Sequence, residues 1–587
     1  MKILLATLNA KFVHTALGLW SIYQYCRDDC PELEFREYNI NQDLAWVCGE
    51  IFLERAAVVA FSCNIWNLAA TLSISRRLKV LAPQTVMILG GPEVWDDPEG
   101  IMERHPWVDQ IIVGEGELTF KEWLAEYATA APRWERIRGL VYRNPGGKSV
   151  RNEARPDIAD LNQLPFPYPA DLTPFRDKLV YYEASRGCPY HCQYCLSANE
   201  HGVRFLPLER VKAELLRFIE AEIVQVKFVD RSFNCHPGRA KAIWKFLLEH
   251  PCKTNFHFEI VGDLLDEESL AILRQAPPGM FQFEVGVQST NPETLRLIER
   301  RTDFGRLAEQ CGRLIRESNV FVHLDLIAGL PGEDYQSFSR TFDDNLAIRP
   351  HRLQLGFLKL LHGSGIRNKA AEYGYIYTEE APYEVLANDW IRYDELLRLK
   401  VIEDLLERYY NSERFRLSFE YLFQRFPSPF KLFEAFGAWW KKRGHDRVSH
   451  KSRDLYGYLL QFGTAVLGAA AANVLRNTLK YDLLTSERLV ELPDWAGGSD
   501  PELQRAGYRF WQDEALRQRY IPDWADRTVR EIQRRVVFAA FDFDPAQLAA
   551  DPAREPAAQR STYLFVYRSA HEGDGVAAHL LPEAIVR

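Results

Sequence analysis

The chain has 587 residues, 47% hydrophobic and 26% charged, with a formal charge of −9 at pH 7. That length exceeds one ordinary core and calls for several domains, and the composition is that of a soluble globular protein. The acidic balance and the lack of any long Lys/Arg block argue against a nucleic-acid partner.

The chain opens on Met-Lys-Ile-Leu-Leu, too brief an apolar run for a signal peptide. The cysteines outside one short loop show no disulfide framework, which fits a reducing cytoplasm. Residues 2–8 read as an apolar strand, followed by Asn9 and a helix over 14–26. Further strands are expected at 33–38, 58–62, 85–89 and 110–113, with helices at 66–81 and 118–127. Buried apolar strands alternating with helices predict a doubly wound parallel sheet. Ligands of such sheets bind at the carboxyl ends of the strands. Those ends carry Asn9, Ser62, Asn64, the turn Gly90-Gly91-Pro92-Glu93 and the turn Gly114-Glu115-Gly116-Glu117. Glycine lets backbone approach a ligand closely, although a tight turn uses it equally well without one. Residues 139–143 and 148–151, joined by Asn-Pro-Gly-Gly, form a hairpin. The proline-rich stretch 155–174 reads as an extended linker.

Beyond the linker, Cys188, Cys192 and Cys195 stand at spacing C-x3-C-x2-C just after an apolar run. Three thiolates on one loop can hold three corners of an iron–sulfur cluster and leave the fourth iron open. Gly187 and Pro189 suit a tight loop, and Tyr194 would shield one side. The competing reading is a Cys3His zinc site completed by His191 or His201, although the spacing is not that of the usual zinc motifs. Strands are then expected at 180–185, 225–229, 255–260, 281–287, 320–326 and 353–360, with helices between them such as 208–221, 239–248 and 338–348. Six parallel strands make an open partial barrel, whose site lies at the C-terminal strand ends. Asp230, Glu259, Glu284, Gln288, Ser289 and Asp325 stand there; a helix cap or a salt bridge would explain each without a ligand. Past residue 370 no motif carries known chemistry. An amphipathic helix covers 389–406, and aromatic helical pieces cover 415–440. The uncharged run 456–475 is rich in Gly and Ala and reads as a close-packed helix rather than a membrane span. A helix end is expected at 530–538 and a β-like run at 562–567.

The C-x3-C-x2-C loop resembles that of the radical S-adenosylmethionine (SAM) superfamily. So do the stretch Phe228 to Asn234, the run Glu284-Val285-Gly286-Val287-Gln288-Ser289 and the turn Leu326 to Glu333. With a Rossmann-like domain directly before it, the chain resembles the cobalamin-binding subclass over roughly residues 1–365. The resemblance implies an α/β architecture: a cobalamin-binding domain over 1–153, a linker over 154–177, a partial (β/α)6 barrel over 178–368 and a mainly helical domain over 369–587. It implies a [4Fe-4S] cluster on Cys188, Cys192 and Cys195. It implies SAM near Tyr194, Asp230, Glu284, Gln288, Ser289 and Gly329. Cobalamin is implied over Asn9, His14, Ser62, Asn64, Gly90, Gly91, Glu93, Gly114, Glu115 and Gly116. The chain departs from the Asp-x-His-x-x-Gly motif of many cobalamin domains, because Phe12 and Leu17 flank His14 where Asp and Gly would stand. The lower cobalt ligand therefore stays open. The activity implied is methyl transfer to an unactivated carbon, with SAM cleaved to a 5′-deoxyadenosyl radical. The alternatives are a non-methylating cyclase or rearrangement and a non-catalytic corrinoid sensor. The substrate, a small molecule or a peptide, is not readable; a flavodoxin- or ferredoxin-type reductant is implied, and neither nucleic acid nor membrane.

Overall fold

The computed structural model describes residues 2–582, apart from 201, 490, 499, 525 and 569–574. It divides into two compact units, Met1–Leu396 and Leu397–Arg587.

The first unit holds two large sheets and two small two-stranded ones. The N-terminal sheet is formed by β1 (Ile3–Asn9), β2 (Leu33–Asn39), β3 (Val58–Ser62), β4 (Val86–Gly90), β5 (Gln110–Ile112), β6 (Leu140–Arg143) and β7 (Ser149–Arg151), in the order β2-β1-β3-β4-β5-β6-β7. The first five strands are parallel, and the β6–β7 hairpin adds antiparallel to β5. All of β1 is buried, since its alternate side chains feed two cores. Leu4, Ala6 and Leu8 pack with Val47, Ile51 and Ile74, whereas Ile3 and Leu5 pack with Leu19, Phe120 and Trp123. The helix Leu44–Leu53, unread in the sequence, begins at Asp43, whose side chain accepts from the Trp46 N–H at 2.8 Å.

The second sheet contains β8 (Leu179–Tyr182), β11 (Gln225–Phe228), β12 (Asn255–Ile260), β13 (Phe281–Gln288), β14 (Phe321–Ala328) and β15 (Arg352–Phe357). Its order is β15-β14-β13-β12-β11-β8, all parallel. This is the six-stranded open barrel, built around Phe228, Phe233, Trp244, Phe258 and Phe283. The expected strand 180–185 ends early. After Tyr182 the chain turns, and β9 (Ser185–Cys188) pairs antiparallel with β10 (Gly202–Phe205). The cysteine loop is thus the tip of a separate hairpin. Gly187 has φ +100°, and a Cβ there would collide with the Gly202 carbonyl oxygen, so the hairpin requires glycine at that point.

The stretch expected as an extended linker packs along the body as a strap. Ile158, Leu161, Leu164, Tyr168, Leu172 and Phe175 are all buried, so their apolar surface holds the strap against the body rather than leaving it solvated. The Tyr168 hydroxyl donates to the Tyr181 carbonyl at 2.7 Å, and it lies 3.0 Å from Thr15 Oγ1. The Leu179 N–H donates to the Val13 carbonyl at 2.8 Å, which covers the open edge of β8. A second tie lies past the barrel, where β16 (Ile376–Tyr377) and β17 (Val385–Ala387) form a small ribbon. Between them, the Tyr383 hydroxyl donates to Glu93 at 2.8 Å.

The second unit packs the helices Arg416–Phe423, Pro429–Lys442, Asp454–Leu467 and Ala469–Ser486 with β18 (Val536–Phe541), β19 (Ser561–Arg568) and β20 (Gly575–Leu581), an antiparallel sheet. The helix end expected at 530–538 is instead the short helix Val529–Gln533 followed by β18. The run 456–475 is broken at Gly468, whose φ is +84°. No helix of the described residues is long and apolar enough to cross a membrane.

One largely enclosed cation ties the cysteine hairpin to the turn beyond β5. Arg186, on β9, lies 3.1 Å from Glu115, 2.9 Å from Glu117 and 2.8 Å from Glu183. Arg204, on β10, adds a 2.8 Å contact to Glu115, and Ser21 donates to Glu117 at 2.9 Å. Burial alone would raise Glu117, but Arg186 outweighs it and holds that carboxyl below the ordinary 4.5. Replacing Arg186 by Met strands buried carboxylates and is expected to destabilise the first unit by roughly 3–5 kcal/mol. Urea unfolding followed by fluorescence measures this. Since Glu117 titrates low, the wild-type advantage is full at neutral pH and shrinks as pH falls below 4.5. An unchanged midpoint at pH 7 would remove the ion-pair cluster from the account.

Candidate active site

Cys188 ends β9, and the turn that follows brings round Cys192 and Cys195, with the Cys195 N–H on the Cys192 carbonyl at 3.0 Å. Two backbone bonds pin this loop to the barrel: Gln193 N–H to the Ile298 carbonyl at 3.0 Å, and Ile366 N–H to the Gln193 carbonyl at 2.8 Å. All three thiols are free; Cys188 and Cys192 are buried and Cys195 is half-buried. Burial raises the Cys188 thiol, opposed by the Tyr190 N–H and by Ser232, whose hydroxyl lies 3.8 Å from Sγ; the charges of Cys195 and Cys192 raise it further. Such thiols give up their protons when a metal binds. Among the described residues no three His, Cys, Asp or Glu gather as a single-ion site. A cubane spreads its three thiolates over three irons, whereas zinc draws four ligands round one ion. His191 is exposed, with Nδ1 3.4 Å from the Ala198 carbonyl, and His201 lies outside the described residues. The thiol set fits a cluster better than zinc.

At the barrel mouth several expected SAM contacts are already engaged. Asp230 is buried and accepts from the Ala184 N–H at 2.9 Å and the Ser185 hydroxyl at 2.5 Å. It anchors the root of the cysteine hairpin, and burial pushes its carboxyl up to about 7. Glu284 lies 2.9 Å from Lys227 Nζ and 3.0 Å from His257 Nε2, and Lys227 also reaches Glu259 at 3.7 Å. Burial would raise Glu284, but His257 and Lys227 hold it well below the carboxylate range. The Ser289 hydroxyl donates to Glu333 at 2.7 Å, as does Thr341, and burial pushes Glu333 up to about 7. The Gly329 carbonyl accepts from Tyr375 and Asn388, each at 3.0 Å. Gln288 differs. Its φ is +71°, and its buried side-chain carbonyl oxygen has no partner. A buried orphan acceptor suits a ribose hydroxyl. Tyr194 is held by Arg300, whose guanidinium donates to the tyrosine oxygen at 3.1 Å.

At the ends of β1 to β5 the expected cobalamin contacts divide in the same way. Asn9 is buried and donates to the His14 carbonyl at 2.9 Å and to Glu37 at 3.0 Å. His14 stands edge-on to Tyr181, with Nδ1 3.5 Å from its hydroxyl, and burial lowers its pKa. It meets a barrel strand rather than the sheet's ledge. Glu93 is bound to Tyr383, and Glu115 is bound to Arg186, Arg204 and the Ile158 N–H at 2.6 Å. Gly116 begins the helix Gly116–Tyr127. Ser62, Asn64, Gly90, Gly91 and Gly114 remain as the ledge itself. Gly91 has φ +107°, and a Cβ there would sit 2.6 Å from the Cys63 carbonyl oxygen. Sequence reasoning missed Trp66, which is 47% exposed while its indole N–H is fixed on the Leu8 carbonyl at 3.1 Å. A flat, partly exposed aromatic pinned at the carboxyl end of β1 suits contact with a planar macrocycle. The signal was available in the tryptophan standing two residues past Asn64. Arg186 and Arg300 were also missed, since nothing in the sequence says which arginines are enclosed.

Three family models match this chain: "B12 binding domain" over residues 3–124, "Radical SAM superfamily" over 182–344 and "Protein of unknown function (DUF4080)" over 371–564. A 2-(S-pantetheinyl)-carbapenam-3-carboxylate methyltransferase of Streptantibioticus cattleyicolor is 28% identical over 48% of this chain and 43% of its own length. The cobalamin-dependent radical SAM methyltransferase TokK of Streptomyces tokunonensis is likewise 28% identical, over 48% of this chain and 43% of its own length. The match thus spans less than half of either relative. The solved structure of the cobalamin-dependent SAM radical enzyme OxsB shares the fold, with a TM-score of 0.58 at 14% identity over 82% of this chain and 78% of that one. The B12-binding and radical SAM matches fall in turn on the two large sheets of the first unit, and the chain carries a B12-binding domain followed by a radical SAM domain.

Proposed function

We propose that this protein is a cobalamin-dependent radical SAM methyltransferase acting on an unactivated carbon of a small molecule or peptide. One observation carries the reading. The hairpin that bears Cys188 and the glycine turn beyond β5 share the largely enclosed Arg186, so the cysteine loop and the N-terminal ledge are fixed to each other. When bound, the cluster and SAM supply a hydrogen-abstracting radical and the corrin supplies the methyl carrier, chemistry that no side chain of the chain can perform.

The chain's own residues do the rest. Cys188, Cys192 and Cys195 would hold the cluster. Gln288 offers a free acceptor to the SAM ribose. Ser289, Asp230 and Glu284 act behind this layer, by fixing the strand ends and the hairpin root. Asn64, Gly90, Gly91, Gly114 and Trp66 would receive the corrin. Arg186 and the Tyr383–Glu93 tie close two flanks of the first unit, which limits the water that would quench a carbon radical. A flavodoxin- or ferredoxin-type protein is the proposed reductant.

The test is anaerobic. The protein reconstituted with iron, sulfide and cobalamin, reduced and given SAM together with candidate substrates, is expected to release both 5′-deoxyadenosine and S-adenosylhomocysteine. 5′-Deoxyadenosine alone would move the assignment to a cyclase or rearrangement. Neither product, from protein with a full cluster, would sink the enzymatic reading. Replacing Cys188, Cys192 and Cys195 by Ala should abolish iron binding. Trp66→Ala is expected to weaken cobalamin retention by roughly 1 kcal/mol, about fivefold in Kd, with iron content unchanged. Equilibrium dialysis read by cobalamin absorbance measures it, and wild-type retention would take Trp66 off the ledge.

A further inference from the structure

Arg300 is a half-buried arginine whose guanidinium has no carboxylate partner among the described residues. It follows the helix Pro292–Leu297 and reaches back under the cysteine loop. One terminal nitrogen lies 3.8 Å from Cys192 Sγ and 3.1 Å from the Tyr194 hydroxyl, and the other donates to the Gly286 carbonyl. Its Nε is buried and unpartnered, and no ion pair within 4.0 Å engages it among the described residues. Arg186, Arg204 and Arg210 in the same unit are each paired with glutamate. A cation withdrawn from water without a counter-ion is expensive. The side chains that this one meets are the Cys192 sulfur and the Tyr194 hydroxyl, which burial keeps protonated, so neither supplies a carboxylate. The charge balance therefore lacks an anion beside Cys192, which a thiolate-bound cluster would supply.

We propose that Arg300 is a positioning residue that raises the reduction potential of the cluster, through its hydrogen bond to Cys192 Sγ and its positive charge. The proposal rests on the cluster assignment above. The step is a one-electron reduction by the low-potential protein donor; no bond forms or breaks, no proton moves, and the cluster's net charge falls by one. A fixed positive charge and an N–H···S bond both favour the more negative state. The guanidinium fork matters as well as the charge, because the contact to Gly286 aims the other nitrogen at the sulfur, which a lysine cannot reproduce. Since the arginine is held by a backbone carbonyl of β13, the strand that also carries Gln288, the same strand orients the ribose acceptor and the cluster's cation.

The experiment compares reconstituted full-length wild type with R300Q, R300M and R300K, scoring iron and sulfide content and then the midpoint by an EPR-monitored redox titration without SAM. The neutral variants are expected to keep their iron and to titrate lower. At a fixed potential the reduced-to-oxidised ratio should fall on the order of tenfold, equivalent to about 59 mV for one electron. R300K should fall between them and wild type. A loaded R300Q or R300M with the wild-type midpoint overturns the proposal. If neither neutral variant loads iron, R300K decides: a lowered midpoint supports the fork, and a wild-type midpoint overturns it. Failure of all three to hold iron while remaining folded by circular dichroism would make Arg300 a cluster-retention residue and would also overturn the proposal. A wild-type protein that binds no cluster would instead fail the cluster assignment, which the iron analysis reports separately.

Discussion

The ion-pair cluster around Arg186 is the constraint on which the first unit depends. It places one largely enclosed guanidinium among three glutamates contributed by two different segments: the turn beyond β5 supplies Glu115 and Glu117, and the chain just past β8 supplies Glu183. A buried ion pair gains little net energy over an apolar contact of the same size, but it tolerates no substitute for either partner. That intolerance gives it positional value. Apolar packing alone would let two sheets slide over each other, whereas a guanidinium fork fixes distance and angle together. Cys188 stands two residues from Arg186, so the fork fixes the root of the cysteine loop as well.

The same logic explains why many polar residues at the strand ends do not face open space. Asp230 holds the root of the hairpin, Glu333 holds Ser289, and Lys227 gathers Glu259 and Glu284 in the barrel. Each supports a strand end whose backbone must stay in place while a ligand sits against it. What is left unpaired is correspondingly informative. Buried polar atoms without a partner occur in both units, and the Gln288 side-chain oxygen and Arg300 Nε are two that lie by the cysteine loop or the end of β13. Unsatisfied polar atoms are costly in a folded core, and a bound ligand can complete them.

Much of this was legible in the sequence. The two large sheets follow from apolar runs such as Ile3–Asn9, which is buried along its whole length, and Phe281–Gln288, which is buried at every second residue. The cysteine spacing is local and needs no fold to be read. The hairpin β9–β10 was not legible, because Ser185–Cys188 has no alternating pattern and is specified instead by Gly187 lying against Gly202 across the loop. Proline content marked 155–174 as an extended linker, and the apolar residues between the prolines, such as Leu161 and Tyr168, pack it against the body as a strap. The roles of Glu93, Glu115 and His14 depend on partners far away in the chain (Tyr383, Arg186 and Tyr181), and no spacing rule announces those. In the second unit, β18 followed a short helix so closely that the two read as one element.

The central claim is that the cysteine loop and the N-terminal ledge serve one shared reaction chamber. It is tested most directly by magnetic resonance on protein loaded with both cofactors, with the cluster reduced and the cobalt in its paramagnetic divalent state. If the account is right, the two spins interact: the cobalt signal relaxes faster and broadens when the cluster is reduced, and this effect is lost when Cys188, Cys192 and Cys195 are replaced by Ala. Two fully loaded centres whose spectra simply add, with no mutual broadening or relaxation, would contradict it.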